Sequence, residues 1–179
     1  MIEGAYITTY TGKVLSLLDP QPEEIDVTDI AWALACECRF AGHTYHPYTV
    51  GHHSLLASQY SPTGYQLEAL LHDSTEAYLK DIPSPLKRLL PEYVEIENRL
   101  DRVIRDTFGL PAEMSAAVKE VDLKLLATEK RDLLPNAHED WAMLEGVEAY
   151  VAPISIALCD AKPSLRRDLF MRRYEELFL

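Results

Sequence analysis

From Asp26 onward the apolar residues recur at helical spacing. Ile30, Ala33, Leu34 and Cys38 form a stripe behind a cap at Asp26 or Thr28, which predicts a helix ending near Arg39. A second helix is predicted over 51–60 and is broken by Ser61-Pro62-Thr63-Gly64. A third covers 65–80, with Leu67, Leu70, Leu71, Ser74 and Tyr78 at core spacing. Asp81-Ile82-Pro83-Ser84-Pro85 stops it, because proline cannot continue a helix and restricts its predecessor. Pro91 opens a fourth helix that runs to Phe108 and is closed by Gly109. A fifth is predicted over 111–134, a short one within 138–150, and a last one from Ala161 through Phe170 and onward, with Lys162-Pro163-Ser164 at its start. The first 25 residues are extended and turn-rich: Tyr6–Tyr10 has strand propensity, interrupted by Thr11-Gly12 and Asp19-Pro20-Gln21-Pro22. No repeat, linker or low-complexity tract appears. The pattern predicts one all-α domain over 1–179, a helical bundle with 1–25 as an extended arm or a short hairpin.

Composition agrees with a globular domain: 179 residues, 47% hydrophobic and 26% charged, suit one sizeable core. No stretch approaches the roughly 20 apolar residues of a membrane-spanning helix. Met1-Ile2-Glu3-Gly4 lacks a basic region before an apolar run, so no export signal is read and a cytoplasmic setting is expected. Three cysteines, Cys36, Cys38 and Cys159, cannot close a disulfide framework, which fits a reducing compartment. A net charge of −12 repels a phosphate backbone and argues against duplex nucleic acid as a partner. A mononucleotide, held by a few local cations and a metal ion, is not excluded.

The chemistry lies in histidines and carboxylates set among apolar residues. His72 and Asp73 are adjacent, and Glu76 follows His72 by four, so a helix would let all three address one cavity. Asp122 interrupts the stripe of Val118, Val121, Leu125 and Leu126, where an unpaired carboxylate is penalised and a metal or cationic partner removes the penalty. His53 shares a stripe with Leu56, Ala57 and Tyr60, while His52 lines up with Leu55 and Leu56; spacing alone does not choose between them. Such a mixed nitrogen and oxygen set suits Mn²⁺, Fe²⁺, Co²⁺ or Zn²⁺ with positions open to water and phosphate.

An ordered series of motifs carries a family resemblance. It comprises Thr9-Tyr10-Thr11-Gly12-Lys13, Cys38-Arg39-Phe40-Ala41-Gly42-His43, Tyr48-Thr49-Val50-Gly51-His52-His53-Ser54, Leu70-Leu71-His72-Asp73-Ser74-Thr75-Glu76-Ala77-Tyr78 and Asp81-Ile82-Pro83-Ser84-Pro85-Leu86-Lys87. The chain resembles the HD-domain phosphohydrolases, whose signature is H…HD…D. Within them it is similar to the branch of YfbR-type 5′-deoxynucleotidases and phage dATP triphosphohydrolases of the DatZ type.

The resemblance implies a single HD-domain bundle and selects His53, the histidine that precedes a serine. His53, His72, Asp73 and Asp122 become the implied ligands of Co²⁺, Mn²⁺ or Zn²⁺, with Mg²⁺ at a second site as an option. Glu76 is the implied catalytic carboxylate that orients or deprotonates the attacking water, and Asp81 a second carboxylate near the leaving group or sugar. Arg39 and Lys87 are implied phosphate or substrate contacts; Phe40 would lie against the sugar or base and Pro85 near the base. Gly42 and His43 fall in the segment that shapes the base pocket. The implied reaction is water attack on the α-phosphorus of dATP, releasing deoxyadenosine and triphosphate. The alternatives are hydrolysis of deoxynucleoside monophosphates and, in another class, a non-catalytic metal- or nucleotide-binding regulator. The implied assembly is a homo-oligomer, from dimer to hexamer.

Plainer readings stand beside these. The three cysteines are expected as small core residues and Trp32 and Trp141 as core anchors. His46 is expected at the solvent-facing side of its loop. Arg166, Arg167, Arg172 and Arg173 in the last helix are expected on a solvated face with ion pairs.

Overall fold

A computed structural model describes residues 4–135 and 138–178. The reading of the first residues as lacking an export signal falls largely on 1–3, outside the described residues. The chain is mainly helical, and the extended start is a hairpin. β1 (Tyr6–Thr8) pairs antiparallel with β2 (Val14–Ser16), with Ile7 opposite Leu15. Leu15 plugs the core, and Thr11 donates from its amide (2.6 Å) and hydroxyl (2.9 Å) to the buried carboxylate of Asp29. The hairpin is thereby fastened to the first helix.

That helix, α1 (Val27–Cys36), begins where the Asp26 side chain accepts from the Thr28 amide. It stops three residues short of the predicted Arg39. Cys38 bridges to Thr49, and the Arg39 amide donates to the Tyr48 carbonyl, so the backbone leaves the helix to pair with the next segment. Thr49 caps α2 (Val50–Tyr60) by accepting from the His52 amide. A Cβ on Gly51 would meet the Leu34 carbonyl oxygen at 3.0 Å, and this lack of a side chain lets α2 lie close on α1.

The predicted helix over 65–80 is two short ones, α3 (Gln66–Leu71) and α4 (Glu76–Leu79). Between them the Ser74 amide bonds the Leu71 carbonyl and the Glu76 amide the Asp73 carbonyl, a tighter i→i+3 winding through the His-Asp segment. Lys80 then takes a positive φ of 76° and turns the chain away toward Asp81. α5 (Ser84–Lys87) follows, then α6 (Pro91–Phe108), which ends at left-handed Gly109 as the sequence predicts. α7 (Ala116–Leu133) starts five residues later than expected, with the Ser115 amide donating to buried Glu68 at 2.7 Å. Within 138–150 the helical piece is a single turn, Ala142–Leu144, and α8 (Pro163–Phe178) closes the bundle against α1, α2 and α3.

One apolar cluster joins the hairpin, α1 and Phe170 of α8; a second, around Tyr48, Ala57, Val118, Leu125 and Cys159, lies between α2 and α7. Several expectations for single residues change. Arg166 is buried, donating to the carbonyls of Leu158 (2.8 Å), Ala35 (3.1 Å) and Cys159, because these orphan acceptors need a donor that reaches inside. Arg167 and Arg173 do make the expected ion pairs, with Asp168 at 2.6 Å and Glu176 at 3.4 Å. Arg173 also bonds Ser58, and Arg167 lies over Trp32, which stacks on Tyr10 near the surface rather than anchoring the core. Cys159 is a core residue, but Cys36 is exposed at the end of α1. No helix among the described residues is long and apolar enough to cross a membrane.

Candidate metal centre

α2 and the His-Asp turn bring two imidazoles together at a tilt of 54°, with the His53 and His72 Nε2 atoms 3.2 Å apart. α7 adds Asp122, whose Oδ1 lies 3.2 Å from His53 Nε2 and 3.8 Å from His72 Nε2. Asp73 Oδ2 lies 3.3 Å from His72 Nε2 and 3.6 Å from His53 Nε2. Ligands about 2.1 Å from a common ion at tetrahedral angles stand about 3.4 Å apart, and these separations fall on both sides of that value. Among the described residues, His53, His72 and Asp122 form a cluster able to hold a metal ion. Three of the four ligands implied by the resemblance form this cluster, and Asp73, paired with Arg39, approaches both imidazoles from beside it; His53 rather than His52 faces the cluster.

The outer hydrogen bonds fit the same purpose. His53 Nδ1 meets Glu129 Oε1 at 2.6 Å, and His72 Nδ1 meets the Ala69 carbonyl at 2.8 Å. An ionised carboxylate and a carbonyl only accept, so each ring donates from Nδ1 and turns Nε2 inward. Two Nε2 atoms 3.2 Å apart, facing two carboxylates, call for positive charge between them, from protons or from a cation. Burial and Arg39 oppose protonation of His53, yet Glu129 and Asp122 prevail and carry its pKa up to about 10. Burial works to raise the Asp122 pKa, but the two imidazoles hold it far below the carboxylate range. The donor set fits a divalent transition metal, whose binding would displace protons. His52, by contrast, packs on the Tyr48 ring and toward Cys159; burial drives its pKa down to about 4, which makes it a neutral core residue.

Two cavities open beside the cluster. A cleft of about 580 Å³ is lined by Arg39, Phe40, His43, Asp81, Pro85 and Trp141 among others, and a hollow of about 520 Å³ by His72, Asp73, Glu76 and Lys87. The Arg39–Asp73 ion pair, at 3.2 Å, stands between them. Glu76 is buried, and its Oε2 has no hydrogen-bond partner. Burial, then Asp73 and Asp81, push its pKa well above the carboxylate range, outweighing Arg39 and Lys87. Burial and Asp73 also raise the pKa of Asp81 against Arg39.

The predicted substrate contacts fare unevenly. Phe40, His43, Asp81 and Pro85 line the cleft. Arg39 lines it too, but its guanidinium is already bound, Nε and Nη2 to Glu129 and Nη1 to Asp73. Lys87 faces the other hollow and donates to Glu97 at 2.8 Å. Gly42 lines neither cavity; with φ 78° it completes a left-handed turn begun by Phe40 (φ 56°) and Ala41 (φ 51°), and this turn fixes the ring of Phe40. His46 also lies away from both, half-buried in its loop. Trp141, expected in the core, is a cleft wall 6.4 Å from Phe40, and Arg88 is a further wall.

The largest omission of the sequence reading is Glu129, with no exposure at all. Its one sequence signal is its position seven residues after Asp122, two turns along the same helix face.

No protein-family model matches the sequence. The uncharacterised protein YfdR of Escherichia coli K12 is 44% identical over 173 residues, which cover 97% of this chain and 96% of that protein. A second uncharacterised protein, from Rhodobacter capsulatus, is 38% identical over 128 residues, 66% of this chain and 65% of its own length. With identity at that level over nearly the whole of both chains, this chain belongs to the YfdR family.

Proposed function

We propose that the chain is a metal-dependent phosphohydrolase of the HD type acting on a small deoxynucleotide, with dATP cleaved to deoxyadenosine and triphosphate as the leading reaction. The observation that carries this reading is the convergence of two inward Nε2 atoms and two carboxylates beside a buried, unpartnered Glu76 oxygen. A binding site without turnover has no use for that last carboxylate.

His53, His72, Asp73 and Asp122 would hold the ion. When bound, a divalent metal supplies a Lewis acid for a phosphoryl oxygen and lowers the pKa of water. Glu76 Oε2, which makes no hydrogen bond, would act as the general base that takes up the proton of the attacking water, in its ionised form beside a bound cation. Asp81 lines the cleft with its pKa also raised, which suits a group that would give a proton to the leaving oxygen. Arg39 in the cleft and Lys87 in the hollow would offset phosphate charge on turning from their present partners Asp73 and Glu97. Phe40, Pro85 and Trp141 give the cleft the apolar walls that a sugar and base require.

Incubation of each dNTP and dNMP with Co²⁺, Mn²⁺ or Zn²⁺, followed by ion-exchange separation of products, tests the reading. Deoxyadenosine with intact triphosphate supports the leading reaction. Phosphate released from several monophosphates makes the protein a 5′-deoxynucleotidase on the same centre. Glu76→Gln is expected to abolish turnover and keep the metal; unchanged turnover refutes the role given to Glu76.

A further inference from the structure

Glu129 sits beneath the centre, and both of its oxygens are engaged. Oε1 meets His53 Nδ1 at 2.6 Å and accepts from the Tyr48 hydroxyl at 2.8 Å. Oε2 accepts from Arg39 Nε at 3.2 Å and Nη2 at 3.1 Å. One carboxylate on α7 thus collects donors from α2 and from the strand-like segment that carries Arg39 and Tyr48.

We propose that Glu129 is the positioning residue of this metal centre, setting one ligand directly and a second through Arg39. The inference rests on the metal-dependent reading above. The direct route is His53. An ionised carboxylate on Nδ1 fixes the tautomer, aims Nε2 at His72 and Asp122, and makes that nitrogen a stronger donor to a cation. His72 receives the same orientation from a neutral carbonyl, so the two imidazoles are unequal and His53 is the stronger ligand. The indirect route runs through the guanidinium. Held by Glu129 at two nitrogens, Arg39 presents Nη1 to Asp73 Oδ2, the oxygen that approaches both histidine Nε2 atoms. Metal loading and the placement of the cleft arginine therefore depend on one buried group.

The test uses the full chain and Co²⁺ alone, with affinity and visible absorption bands as readouts and no turnover required. Glu129→Gln keeps the shape and an acceptor oxygen for His53, removes the charge, and turns an NH₂ toward the Arg39 donors. Its Co²⁺ affinity is expected to fall about 10- to 100-fold, with altered absorption bands. Glu68→Gln is the control. Glu68 is also buried, 3.5 Å from Arg105, but touches no ligand, so its variant keeps wild-type affinity and bands. If both variants bind Co²⁺ as the wild type does, Glu129 only supports the fold and the proposal is overturned. If Glu129→Gln does not fold, Tyr48→Phe carries the test, because it removes the second donor on the oxygen that His53 uses. Altered bands support the proposal and unchanged bands overturn it. Failure of the wild type to take up Co²⁺ refutes the metal-dependent reading itself and this inference with it, an outcome distinct from the others.

Discussion

Ala41 holds φ 51° and ψ 28°, between Phe40 at φ 56° and ψ 32° and Gly42 at φ 78°. Three successive left-handed residues form a turn that only its glycine adopts without strain. A left-handed alanine costs about 1–2 kcal/mol, because its Cβ crowds the following carbonyl. Ala41→Gly removes that cost but loosens the unfolded chain by about 0.4–1 kcal/mol. The difference predicts stabilisation of about 0.5–1 kcal/mol, an increase in Tm of about 1–4 °C for a domain of this size. Gly42→Ala reverses both terms and is expected to destabilise by about the same amount. Urea and thermal unfolding followed by circular dichroism measure both. If Ala41→Gly lowers stability by a full kcal/mol, as glycine does at an unstrained position, the turn holds no strain and the reasoning fails. The turn also carries Arg39 and Phe40 to the cleft, so Ala41→Gly is expected to turn over more slowly even as it melts later.

Three further outcomes are expected. Asp122→Asn takes the negative charge from the face of both imidazoles and is expected to lower Co²⁺ affinity at least about tenfold; unchanged metal content after equilibrium dialysis refutes its place in the centre. Asp26→Ala removes the α1 cap at a cost of about 1 kcal/mol near neutral pH. Burial opposes ionisation of Asp26, but the Thr28 bonds and Lys13 prevail and lower its pKa. Its contribution is therefore present above the ordinary carboxylate range and lost as pH falls through the depressed value, so wild type and variant should converge in acid. Arg166→Met leaves three carbonyls without their donor and is expected to destabilise by about 3–6 kcal/mol; a urea-measured loss below about 1 kcal/mol would show that those carbonyls find other partners.

What the sequence made legible was whatever is written locally. Asp26 caps α1 with its own side chain, and Pro91 and Gly109 bound α6, where these residues predict. The break between α3 and α4 carries no proline or glycine. It arises from the i→i+3 winding that swings His72 and Asp73 toward α2 and α7, a demand of distant packing. Asp122 stands out because a carboxylate interrupts an apolar stripe, and His72, Asp73 and Glu76 because they share one stretch of helix spacing; spacing did not separate His53 from His52, and the resemblance chose between them. Glu129 was not legible: beside Lys130 and Arg131 it looks like any acid on a solvated helix, and its partners lie 76 to 90 residues away. Trp141 misled for the reverse reason, since an indole is a wall as readily as an anchor, and only the position of Phe40 across the cleft decides. Arg166 reads as surface charge until the carbonyls at the end of α1 are seen to need it.

The bond from Arg166 to the Ala35 carbonyl spans 131 residues, and α8 packs on α1 along its length. Closing a loop of that span costs on the order of 4 kcal/mol of chain entropy before any contact rewards it. The earliest helix and the last are thus each other's principal neighbours, and a growing chain must carry α1 with one flank bare until α8 has been made. Assembly of this bundle is expected to be late and concerted, with the His-Asp turn completed only when α1 and α8 have met.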